Sequence, residues 1–475
     1  MKHFFSYLSI LFIGIIYFTS CQKKEIITNK SDIRFSKDTL LFDTVFTNLG
    51  SATYLIKIYN DLNRPVNISS IRLENGSNSL FKLNINGFSG NIINNQEIAA
   101  NDSLYVYSVV TINPNLETNP FVVEDKLIVS VNQDEYSVPV IAYGQNANYI
   151  VDSVLKTQTW NNRLPYVIIN NALVDKNNTL TIEKGARIYM HPHSRLYVDG
   201  TLLINGTKND SVVFQSNRID RSYFGYRGYP GEWGGIYFTE NSNNNHLKWT
   251  VIKNGGSSTK LGNATTQAAS IQVDNNKSLF NPQDGVYLEN CIVENSIGYG
   301  ILSFGGKLKI SNSLVNTCGS QNIGIFQGGN YFFEQSTFVT YGSKLVAHID
   351  APVISVLNYL DTSNTGFIPD HLKFVANNCI FYGSLKNEVI GNAKNIGISN
   401  YDVQFKNSIL KLDETEKFPG IQLENCIINQ EPLFEDKETW NYRLKAGSVG
   451  FNTGAPPFYG ENLDGQSGTN NIGAY

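Results

Sequence analysis

The sequence predicts an all-β chain: a β-sandwich followed by a right-handed parallel β-helix with a C-terminal cap. Three observations carry this. From about residue 34 to 146, apolar residues alternate with a period of two, in short runs such as Tyr54-Leu-Ile56-Lys-Ile58 broken by Asn, Gly, Asp and Pro. Between Leu288 and Ile428 a six-residue motif recurs, with first steps of 22 and 24 residues. Only 16% of the 475 residues are charged, 12% are aromatic and 39 are Gly, which favours strands and sharp turns.

At the start, Lys2 and His3 precede an almost continuous apolar run from Phe4 to Phe18, then Thr19, Ser20 and Cys21. A basic start, a short apolar stretch and small residues before a cut read as a signal peptide over residues 1–20. The run is shorter than the roughly 20 residues that span a bilayer. Ser20-Cys21 resembles the lipobox of bacterial lipoproteins, with Phe18 where Leu is usual. That resemblance implies an acylated Cys21 as the mature N-terminus, so the membrane becomes a partner through a lipid anchor. No Asp follows Cys21, and Gln22-Lys-Lys-Glu25 resembles a weak form of the acidic tag of surface lipoproteins. The expected location is the outer membrane, at the cell surface; a periplasm-facing orientation stays open. Residues 21–33 are polar and read as a tether.

Residues 34–146 hold about seven short runs separated by turn residues, the spacing of a sandwich. There is no Cys…Trp…Cys pattern, which excludes an antibody-type domain. Phe42-Asp-Thr-Val-Phe46 with Asn48 and Gly50 resembles the immunoglobulin-like modules that precede β-helices in bacterial surface lipoproteins. Residues 147–165 read as a connector.

From Tyr166 to residue 432 the texture is that of a β-helix. Leu180-Thr-Ile182-Glu-Lys-Gly185, Leu196-Tyr-Val198-Asp-Gly200 and Leu202-Leu-Ile204-Asn-Gly206 are short strands closed by Gly. The motif runs Leu288-Glu-Asn290-Cys291-Ile-Val293, then Ile310-Ser-Asn312-Ser313-Leu-Val315, then Phe333-Glu-Gln-Ser-Thr337-Phe338. It returns around Cys379, Ser408 and Cys426, and Trp249-Thr-Val-Ile252 is an earlier, shortened copy. Each coil cannot bury its apolar face alone, so coils stack. Cys, Ser and Thr read as small residues in one interior slot, aligned through Cys291, Ser313 and Thr337. The preceding Asn suits a left-handed bend, and in a stack its amide can also bond to the Asn of the next coil. The 42 residues from Thr337 to Cys379 hide either a degenerate coil near Val353 to Leu360 or a long loop. With Gly231-Glu-Trp233-Gly-Gly235-Ile236, these motifs resemble lipid-anchored β-helix proteins of the Gram-negative envelope, with the pectate-lyase-like fold. Residues 433–475 resemble the irregular tail that covers the last coil in that group.

The chemistry is sparse. Lys+Arg is 37 against Asp+Glu 41, a net charge of -4, so no basic stripe points to nucleic acid. There is no adjacent Asp pair, GxSxG, HExxH, P-loop or CxxC, and Glu289 and Glu424 read as a solvated strand face. His348 and Asp350 would share a face on a strand, and a His–carboxylate pair suits general base work. His191-Pro-His193 lacks the further ligands zinc needs, so no metal and no cofactor is assigned. Tyr223, Phe224, Tyr226, Arg227, Tyr229 and Trp233 place five aromatics within eleven positions, a candidate ligand-binding loop. The sequence therefore points to a non-enzymatic envelope module that binds glycan or an outer-membrane protein. The alternatives are a polysaccharide lyase or hydrolase of the same fold, and an accessory lipoprotein of an outer-membrane complex.

Overall fold

The computed structural model describes residues 33–131, 133–219, 227–261, 264–274, 285–362, 366–394, 401–413 and 420–475. Cys21, the leader and the tether, and also Tyr223, Phe224 and Tyr226, lie outside the described residues. Among those described, no helix is long and apolar enough to cross a membrane. The chain divides into two compact units, one up to Asn146 and one from Ala147.

The first unit has two five-stranded sheets. One contains Tyr54–Tyr59, Phe81–Ile85 and Ser103–Val110; the other contains Leu40–Phe46, Val66–Leu73, Ile92–Ile98, Phe121–Val131 and Asp134–Gln145. Pairing is antiparallel except between Leu40–Phe46 and Asp134–Gln145. The period-two runs put Tyr54, Ile56 and Ile58 inside from one sheet and Leu40, Phe42 and Val45 from the other. Phe42 meets Tyr54 at a centroid distance of 4.6 Å and Phe81 at 5.5 Å.

The second unit is built of long parallel sheets, of eighteen and ten strands, consistent with a β-helix. A full coil supplies three strands, as in Val286–Glu289, Ile292–Ser296 and Tyr299–Phe304, and the next coil repeats them as Lys307–Ser311, Leu314–Cys318 and Ile323–Phe326. These three positions define the first, second and third ladders. The first is the ten-stranded sheet; the other two make up the larger one. In the first ladder one inward position stacks as Trp160, Ile182, Ile204, Leu247, Leu288, Ile310, Phe333, Ala376 and Phe405. Regular steps such as Ile182 to Ile204 and Leu288 to Ile310 are 22 residues, while Ile204 to Leu247 and Phe333 to Ala376 are 43. The long interval after Thr337 is thus one coil carrying a loop and the antiparallel pair Tyr359–Thr362 and Gly366–Pro369, with Ile354–Leu357 as its third-ladder strand.

Four readings of the sequence change. Residues 147–165 are not a bare connector: Asn148–Leu155 and Gln158–Trp160 pair in parallel with the next coil. As an edge strand, Asn148–Leu155 leaves Val151 and Val154 exposed, so it lacks the apolar density of a stacked strand. The small-residue register also shifts by one, because Leu314, not Ser313, pairs with Thr337. Ser336 is therefore the equivalent of Ser313 and Cys291, and the slot is a hydrogen-bonded ladder. Cys291 N–H donates to Ser313 Oγ at 2.9 Å, Ser313 N–H to Ser336 Oγ at 3.1 Å, and Cys379 N–H to Ser408 Oγ at 3.0 Å. Each hydroxyl turns back to its own chain, as Ser313 Oγ to Ser311 O at 2.7 Å.

The third change concerns the Asn column. Asn290, Asn312, Asn378, Asn407 and Asn425 are left-handed, with φ between 47° and 54°, as a sharp bend requires. Asn290, Asn312 and Asn378, however, do not bond to one another. They hold the C-terminal tail, which is the fourth change: the tail runs back along the flank instead of closing the last coil. Asn290 Nδ2 donates to Glu461 O, Asn312 Nδ2 to Tyr459 O and Asn378 Nδ2 to Ala455 O, at 2.6, 2.7 and 2.7 Å. Phe434, Tyr442, Leu463 and Ile472 form a separate apolar cluster with Leu314, Val339, Ile380 and Ile409, the outward residues of the second ladder. One face of the solenoid is thereby taken by its own tail.

The described cysteines are free; Cys291, Cys318 and Cys379 are buried and Cys426 is half-buried. Burial pushes the Cys291 thiol up to about 12 and raises Cys426 as well. In the native protein, a maleimide reagent is expected to label Cys426 first and to leave Cys291 and Cys379 unmodified until unfolding. Rapid modification of Cys291 or Cys379 would contradict their interior placement.

Candidate functional site

Of the aromatic segment, Arg227, Tyr229 and Trp233 lie among the described residues. Trp233 is fully buried, its indole N–H donating to Lys253 O at 2.9 Å and its ring facing Phe214 at 6.5 Å. It belongs to the core, because Gly234 and Gly235 let the chain turn directly from it into the strand Gly235–Phe238. Tyr229 is exposed, and the Arg227 guanidinium lies over Trp440 at 4.2 Å.

The expected His348–Asp350 pair does not form. Both residues sit in a loop, not on a strand, and Asp350 is exposed. His348 Nε2 instead contacts both oxygens of Glu388 at 3.1 Å, and both side chains are almost fully buried. Glu388 also accepts from Leu385 N–H at 2.7 Å and Val353 N–H at 3.0 Å. A carboxylate so saturated ties the loop to its coil. His191 Nδ1 contacts Asn217 Nδ2 at 3.0 Å, and His193 lies in a left-handed turn. Among the described residues no group of three or more His, Cys, Asp or Glu side chains lies together to hold a metal.

Two clusters that sequence reasoning did not single out lie on the two faces that the tail leaves open. The first is a polar cleft of about 450 Å³ on the outer face of the third ladder, lined by Asp199, Tyr237, Thr239, Glu240, Asn241, Asp274, Phe304 and Gln327. The period of two explains its make-up. Ile236 and Phe238 point inward while Tyr237 points out; Ile271 and Val273 point inward while Gln272 and Asp274 point out. Tyr237 lies beside Gln272, and Asp274 beside Phe304. The Tyr237 hydroxyl donates to Asp274 Oδ2, and Gln272 Nε2 to Asp274 Oδ1 at 3.0 Å. Asp199 accepts from the Thr239 hydroxyl and from Asn241 Nδ2 at 3.1 Å. Burial raises the Asp274 carboxyl above its ordinary range, the Glu240 charge adding to it against the hydrogen bonds from Tyr237 and Gln272. Gln272 Oε1 is buried without a protein partner among the described residues. The cleft thus offers fixed acceptors, amides and two rings, the combination that grips a polyhydroxylated ring.

The second cluster lies on the outer face of the first ladder. His246 Nε2 contacts Glu289 Oε2 at 2.9 Å and Lys248 Nζ contacts Glu289 Oε1 at 3.1 Å. The His246 hydrogen bond, with burial opposing and Lys248 assisting, holds the Glu289 carboxyl below its usual range. The His246 ring stacks on Tyr287 at 4.6 Å. An imidazole oriented by a carboxylate is an acid–base pair. Glu289 reads in sequence as a solvated strand face because its partner His246 is 43 positions away and one coil below.

No family model and no curated protein matches the chain. Solved structures do. The A-module of a mannuronan C-5 epimerase from Azotobacter vinelandii is similar over 61% of this chain and 91% of its own, at 8% identity and a TM-score of 0.31. The catalytic unit of an α-1,3-glucanase from Streptomyces thermodiastaticus is similar over 78% and 88%, at 7% identity and a TM-score of 0.28. A family 123 glycoside hydrolase from Clostridium perfringens is similar over 25% of this chain and only about a quarter of its own length (26%), at 13% identity and a TM-score of 0.17. These neighbours are carbohydrate-active enzymes, and their TM-scores lie below 0.5.

Proposed function

We propose that the chain is a lipid-anchored module of the outer membrane, displayed at the cell surface, that binds glycan without turning it over. Its first unit is read as an immunoglobulin-like domain and its second as a right-handed β-helix. The observation that supports glycan binding is the cleft in which Asp274 holds Tyr237 and Asp199 holds Asn241, beside Phe304. A preorganised polar site loses little entropy when a sugar replaces its water.

A glycan array followed by calorimetry on residues 22–475 tests this reading. Tyr237→Ala is expected to weaken the bound glycan about tenfold or more, since ring contacts in binding sites commonly carry over 1 kcal/mol. Asp274→Asn should weaken it too, without loss of stability at pH 7. The sign follows from the raised carboxyl: its contribution to stability is full below the unfolded value and is lost as pH rises through the folded one. The burial that raises the carboxyl therefore opposes folding above the unfolded value, and the amide removes that opposition. Glycan affinity indifferent to both substitutions would sink the cleft. Cys21→Ser should move the protein from the membrane to the soluble fraction; an unchanged membrane fraction would refute the anchor.

The His246–Glu289 pair favours a second reading, a polysaccharide-active enzyme. Release of unsaturated or reducing ends by the purified protein, abolished in His246→Ala, would replace the binding reading with this one.

A further inference from the structure

We infer that the second unit carries another binding site, for a sugar bearing an oxyanion, where the loop at Arg227, the segment Tyr341–Leu345 and the tail at Lys437–Trp440 converge. This site is independent of the cleft on the third ladder and takes the opposite charge. Its cavity measures about 310 Å³, and three cations, Arg227, Lys344 and Lys437, line it with the acid Glu438, while Glu431 behind Lys437 and Glu294 near Arg227 offset part of that charge.

The cations are fixed before any ligand arrives. Arg227 lies over the Trp440 ring at 4.2 Å, and its Nη1 donates to Glu438 O at 2.9 Å. Stacking holds the guanidinium plane, and a planar fork so held reads carboxylate or sulfate with little further ordering. Lys437 Nζ lies over the Tyr341 ring at 4.3 Å and contacts Glu431 Oε1 at 3.2 Å, while the Tyr341 hydroxyl donates to Glu431 Oε1 at 2.9 Å. Asn295 also lines the cavity; it is buried and left-handed, and its Nδ2 donates to Asn254 Oδ1 at 2.8 Å and to Gly228 O at 3.3 Å, which fastens the Arg227 loop. Lys344 is exposed at the rim. Trp440 and Leu345 add apolar surface that suits the ring carbons of a pyranose more than a bare inorganic ion.

Calorimetry on residues 22–475 tests the site with four probes: a tetragalacturonide, its methyl ester, an O-sulfated neutral tetrasaccharide and sodium sulfate. The tetragalacturonide or the sulfated sugar should bind, with affinity falling as salt rises. The methyl ester should bind at least about tenfold more weakly than the acid, and Arg227→Gln should cost the charged sugar a similar factor. Which charged sugar binds more tightly names the oxyanion. Tyr237→Ala separates the two sites, since it should lose the cleft's glycan and keep the charged one. Equal binding of acid and ester, affinity unmoved by Arg227→Gln, or sodium sulfate matching the sugars would each overturn the inference, as would binding of neither charged sugar.

Discussion

Glu388→Ala is expected to destabilise the second unit by about 3–5 kcal/mol, the loss typical of breaking a buried ionic contact from one side. The carboxylate is fully buried and accepts from His348, Leu385 and Val353. Alanine leaves two backbone N–H groups and an imidazole N–H without acceptors, and each orphaned buried donor costs about 1–3 kcal/mol. Glu388→Gln keeps one acceptor oxygen and should fall between. Urea unfolding measures the difference, and proteolysis between Gly342 and Val353 should accelerate before global unfolding does. A loss under about 1 kcal/mol in the alanine protein would mean that the loop is held by something else.

Trp233→Ala should cost a similar amount, about 3–5 kcal/mol, through a cavity in the core and an orphaned Lys253 carbonyl. Tyr229→Ala, four residues earlier in the same loop, should change stability by no more than about 0.5 kcal/mol, because Tyr229 is exposed. The contrast separates two roles within one aromatic segment. Comparable losses in the two variants would contradict the placement of either ring.

What the sequence made legible follows the period of its patterns. Coils were visible because Leu288, Ile310 and Phe333 repeat at near-constant spacing, and Asn290, Asn312 and Asn378 carry the left-handed bend that other residues resist. The one-residue slip at Ser336 arose because Gln335 replaces Asn, removing the marker of register. The edge strand Asn148–Leu155 was missed because it stacks on one side only. Site chemistry was least legible. A solenoid brings together residues one coil apart, so Tyr237 meets Asp274 across 37 positions and His246 meets Glu289 across 43. Insertions of varying length separate such partners. His348 and Asp350, neighbours in sequence, were drawn apart because no strand forms there.

The returning tail has a consequence for cooperativity. In a simple repeat array each coil is coupled only to its neighbours, so ends fray and unfolding spreads stepwise. Here one segment is bonded at Asn290, Asn312, Gln335 and Asn378, on four coils at once. It acts as a longitudinal brace that couples coils not in contact with one another. A coil at the C-terminal end cannot open without disturbing bonds made several coils away. Because the tail follows the coils it braces, coils made before it can stack only as a loosely coupled series and become a single mechanical unit once the tail has docked.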